Sequence, residues 1–73
     1  MEKKAATQIV QILLDCSGAI DQSVAVAKQA SPAEEFEEFR ISAGRIMGSI
    51  FFDLLRPIFT EYPDLEPEEL RRP

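Results

Sequence analysis

Histidine is absent from this 73-residue chain, and Cys16 is its only cysteine. One cysteine excludes an intrachain disulfide. A chain without histidine is also poorly equipped for a tetrahedral zinc site, which draws on Cys and His. The same shortage removes the base of a Ser/His/Asp set, the Glu-x-x-His ligands of di-metal helical bundles and any CxxC pair. With only three glycines there is no Gly-rich phosphate loop. Cations are scarce too: eight Lys and Arg stand against thirteen Asp and Glu, for a net charge of −5. Such a chain repels phosphate backbones and anionic membrane surfaces. There is no basic aromatic patch of the kind that reads nucleic acid. The expectation is therefore a protein with no catalytic residues, no cofactor and no metal, binding neither nucleic acid nor membrane.

Long apolar runs are lacking as well. The stretch Ile46 to Phe59 is shorter than the roughly 20 residues that span a bilayer, and it contains Asp53 and Arg56. Near the N-terminus Thr7, Gln8 and Gln11 interrupt the apolar pattern, and Asp15 stands where a lipoprotein signal wants a small residue before Cys16. A cytoplasmic protein with a reduced thiol is the expectation.

What is present is helical periodicity. Ala6, Ile9, Leu13, Cys16, Ile20, Ser23, Ala27 and Ala30 recur at alternating steps of three and four, a heptad seam. Ile12, Ala19 and Val26 form a second row, and Val10, Leu14 and Val24 a third. This predicts one helix over about residues 3–30, with a face wide enough for two or three neighbours. The alternative is a break at Gly18, which would make a three-helix bundle.

Ser31-Pro32-Ala33-Glu34 predicts the next start, with Ser31 as N-cap, Pro32 at the first position and Glu34 closing a capping box. Phe36, Phe39, Ala43, Ile46, Met47, Ile50, Phe51, Leu54, Leu55, Ile58 and Phe59 continue an apolar face. Helix two is expected over about residues 32–62, ending before Pro63 and kinked or broken near Pro57. In the tail, 63–73, one more turn is expected, with Pro67 at its start and the arginines at its end. A turn this short makes antiparallel neighbours. The fold class is thus all-α, a helical hairpin forming one domain. Each arm would be about 45 Å long at the helical rise. Centring the turn on Ser31 sets Gly18 opposite Gly44 and Cys16 opposite Ile46. The glycine match suggests a close backbone approach.

A chain of this size buries only about 60% of its unfolded surface and usually needs a staple. With disulfide and metal excluded, a second copy making a four-helix bundle is the simplest one. The residues expected at that oligomer or partner interface are Ile9, Leu13, Cys16, Ile20, Gly44, Met47, Gly48, Phe51, Phe52, Leu55 and Phe59. Cys16 reads as a small buried hydrophobe. Glu34, Glu35, Glu37 and Glu38 read as a solvated first turn on the favourable end of the helix dipole. They could also form an acidic docking face for a basic partner. Asp53 reads as pointing outward or pairing with Arg56. Gly44-x-x-x-Gly48 offers a small-residue crossing point.

The functional expectation is a small homodimeric interaction module that regulates or scaffolds another protein. Two alternatives stand beside it. One is a bundle binding a small molecule or metal. The other is a nucleic-acid-associated regulator, because a short-looped hairpin dimer resembles in architecture the RNA-binding plasmid copy-number regulators. No motif residue carries that resemblance, and the acidic charge opposes it.

Overall fold

The computed structural model describes residues 1–70 and contains helices and no strand among them. Helix α1 spans Lys3–Ala30 without interruption. It runs through Gly18, so the three-helix alternative is not adopted. No proline falls inside it, and its many Ala, Leu and Gln residues favour helix. The helix stops at Ser31, whose extended backbone (φ −126°, ψ 150°) is what a following proline imposes.

Helix α2 spans Ala33–Ser49. The expected capping box does not form, since no side chain caps this helix. The Phe36 amide donates to the Pro32 carbonyl at 2.9 Å, so Pro32 holds the cap position and Ser31 lies one residue outside it. Glu34 and Glu35 still lie in the first turn, where the helix dipole favours them.

The second arm continues as a π-helical segment, Ile50–Leu55, and then as α3, Arg56–Glu61. The expected kink at Pro57 is thus realised as a widened turn just before it. The Arg56 amide donates to the Phe51 carbonyl five residues back. A wider turn relieves the clash between a proline ring and the carbonyl one α-turn earlier. It also holds one extra residue, which rotates everything downstream. Ala43 and Met47 face inward, and uninterrupted α-helical steps would next bring in Leu54 and then Pro57 itself. Instead Leu55 is 2% exposed and Leu54 51% exposed. Ile58 and Phe59 are buried while Pro57 stays at the surface.

The buried core joins Ala6 and Val10 of α1 to Leu55, Ile58 and Phe59. Ile9, Leu13, Leu14, Ile50, Phe51, Tyr62 and Leu65 pack around it. The beginning of α1 therefore meets the end of α3. Tyr62 donates its hydroxyl to the Met1 carbonyl at 2.6 Å, and Lys3 pairs with Asp64 at 2.5 Å. Tyr62, extended before Pro63, ends the arm. Two short 3-10 turns follow, Pro63–Leu65 and Glu68–Leu70. The arginines expected to close the last turn, Arg71 and Arg72, lie outside the described residues.

The molecule measures 45 × 24 × 19 Å with a radius of gyration of 14.5 Å. A compact chain of this length would have about 11 Å.

Candidate interaction surface

Helix α1 carries two heptad rows, one residue apart. Ala6, Val10, Leu13, Ser17, Ile20, Val24 and Ala27 form the inner row, each buried or half-buried. Ala5, Ile9, Ile12, Cys16, Ala19, Ser23, Val26 and Ala30 form the other, about 100° around the helix. This outer row contains no charged residue. Ile12 is 64% exposed and Val26 67% exposed.

The second arm has a matching row. Phe39, Ile46 and Leu54 are exposed and Ile50 half-buried, all to one side of the inward residues Ala43, Met47 and Leu55. Because the arms run in opposite directions and share one handedness, both outer rows fall on the same side of the pair. Arg45, Ile46, Ser49, Ile50, Asp53 and Leu54 line a shallow, open depression there. The opposite side of the second arm shows Ile41, Gly44, Gly48 and Phe52. Arg56 lies over the Phe52 ring at 5.8 Å from its centroid, and Phe51 meets Phe52 edge-on at 5.1 Å.

These positions sort the residues expected at an interface. Leu13, Ile20, Met47, Phe51, Leu55 and Phe59 are wholly or partly covered within the chain, and Ile9 sits at the border of the core. Cys16, Gly44 and Phe52 are exposed, and Gly48 is half-buried. Cys16 is therefore not a core residue of the single chain, because the inner row runs through Leu13, Ser17 and Ile20 instead. The close approach of Gly18 to Gly44 is also absent: a Cβ at Gly18, Gly44 or Gly48 would meet nothing within 4 Å. Pattern reading missed the heptad row completed by Ala5 and Val26, although its spacing and lack of charge are both present in the sequence.

Asp53 is exposed and makes no ion pair with Arg56. Glu37 is bonded by the Arg40 guanidinium, and chiefly this hydrogen bond holds its carboxyl below the usual glutamate range. Among the described residues no group of three His, Cys, Asp or Glu side chains could hold a metal ion. By length and composition alone α1 is apolar enough to cross a membrane, with mean hydropathy 1.3 over its best window. It bears Asp15 and Asp21 near its middle, where charge is most costly in a bilayer.

No protein family, curated protein or solved structure matches this chain.

Proposed function

We propose that the chain is one helical hairpin of a homodimeric four-helix bundle, acting in the cytoplasm as a non-enzymatic interaction module that regulates or scaffolds another protein. One observation carries the dimer. The single chain exposes 5604 Å². A compact monomer of 8.2 kDa exposes about 4,500 Å². The excess, about 1,100 Å², is of the size that a standard interface removes from each partner, about 800 Å². The uncharged row of α1 and the Phe39–Leu54 row of the second arm hold exposed large apolar side chains, among them Ile12, Val26, Ile46 and Leu54. Once these rows are covered, Ile41, Phe52 and the acidic first turn of α2 remain for a different protein, with Phe52 as its aromatic anchor.

Absolute mass by light scattering on a sizing column, over a hundredfold range of concentration, tests the reading. A stable dimer or larger closed assembly supports it. A folded monomer at every concentration overturns it.

A further inference from the structure

Resting on that reading, we infer that the second copy docks antiparallel across the outer row of α1, with the two-fold axis passing between Ser17 and Gly18. The row itself carries the argument. Its steps of four and three read the same in both directions, so an antiparallel copy meets it in register. Cys16 then lies opposite the partner's Ala19, Ile12 opposite the partner's Ser23, Ile9 opposite the partner's Val26, and Ala5 opposite the partner's Ala30. The bulky Ile12 thus meets a small residue. In a parallel pairing Ile12 meets Ile12 and Ala19 meets Ala19, bulge against bulge and gap against gap.

The second arm obeys the same axis. Counting equal rises inward from the Tyr62–Met1 contact puts Ile46 level with Ser17, within one helical rise of that axis. A two-fold there brings Ile46 against the partner's Ile46 and Phe39 against the partner's Leu54. The depression lined by Arg45, Ile46, Ser49, Ile50, Asp53 and Leu54 begins at this Ile46 pair and runs away from the axis toward Leu54. An isologous interface requires that one axis serve both rows, and here it does.

Two measurements on the full chain test this. The first uses Ile12→Glu, which puts one carboxylate per copy into the row. It is expected to weaken dimerisation about 1,000-fold, while Ile41→Lys on the opposite side leaves the mass unchanged. The second is a distance between copies, read from a nitroxide on Gln29→Cys in a Cys16→Ala background. Gln29 is exposed and lies off the row. Antiparallel copies hold the two labels about 35 Å apart along the axis, and parallel copies bring them within about 20 Å. A dimer with the short distance, or a dimer indifferent to Ile12→Glu, overturns this docking geometry and leaves the module reading standing. A monomeric wild type overturns both.

Discussion

The Tyr62 hydroxyl donates to the Met1 carbonyl at 2.6 Å, and this contact ties the last turn of the second arm to the start of the first. It lies at the rim of the core, beside Phe59, which is buried, and Lys3–Asp64, which is open to solvent. The hydrogen bond and the apolar cluster differ sharply in energy. A net hydrogen bond contributes about 1 kcal/mol, and an exposed one less. Tyr62→Phe is expected to cost under about 1 kcal/mol in urea unfolding. Phe59→Ala removes a ring from the buried cluster of Ala6, Val10, Leu55 and Ile58 and costs about 3–5 kcal/mol. In a domain this small that loss leaves little or no folded population at ordinary temperature.

Adjacent leucines give a second contrast. Leu55 is 2% exposed and Leu54 51% exposed, because the π-helical turn exchanges one for the other on the inward face. Leu55→Ala is expected to cost about 2–4 kcal/mol of folding stability. Leu54→Ala leaves the fold of each arm nearly unchanged and shows its effect in the concentration dependence of unfolding. Comparing urea midpoints at two protein concentrations separates the two. Equal losses from both leucines would remove the π-turn assignment.

Glycine substitution separates close packing from open surface. Space is free around a Cβ at Gly18 and Gly44, and both sit inside α-helix. Gly18→Ala and Gly44→Ala are each expected to stabilise the protein by about 0.5–1 kcal/mol, read as a rise in urea midpoint. Neither residue lies on the outer row, so the assembly mass is expected to stay the same. Loss of stability would mean that a helix crosses closely at these glycines in the assembled protein.

How far the pattern could be read depends on which interactions are local. The span of α1 follows from its unbroken apolar rows and from Pro32, which forces Ser31 extended. The end of the second arm follows in the same way from Pro63 acting on Tyr62. The inner row of α1 could not be chosen from its own residues, since two heptad rows lie one position apart and both are apolar. The choice depends on where Leu55, Ile58 and Phe59 arrive from the far end of the chain. The π-helical turn was hidden for a related reason. Pro57 announced a disturbance, but whether a helix breaks, kinks or widens depends on the burial gained beyond it. Capping at Ser31 failed on a difference of one residue, as the proline took the cap position itself.

A surface ion pair adds a small pH-dependent contribution to α2. Arg40 lowers the Glu37 carboxyl below its ordinary value of 4.5, first by its hydrogen bond. A depressed carboxylate stabilises the fold above its unfolded value and loses that contribution as pH falls through the folded one. Wild type is therefore expected to lose slightly more stability than Arg40→Ala between pH 6 and pH 3. The pair is fully solvated, so the difference is small and shrinks in high salt. Parallel loss in both proteins would show that the pair contributes nothing.

The π-helical turn itself can be edited. It holds one residue more than an α-helix needs between Met47 and Leu55. Deleting Asp53, which is exposed, would return Leu55, Ile58 and Phe59 to the inward face by ordinary α-helical steps. That regular helix would place the Pro57 ring against a carbonyl and leave that carbonyl without its donor, at a cost of about 3 kcal/mol. Deletion of Asp53 alone is thus expected to destabilise the protein strongly. Deletion combined with Pro57→Ala is expected to recover stability to within about 1 kcal/mol of wild type, because no clash remains and the buried set is unchanged. Urea midpoints of the two variants measure this, and amide exchange at residue 55 reports whether Leu55 is still protected. If the double change fails to rescue, the wide turn is required by the packing of the arms and not by the proline.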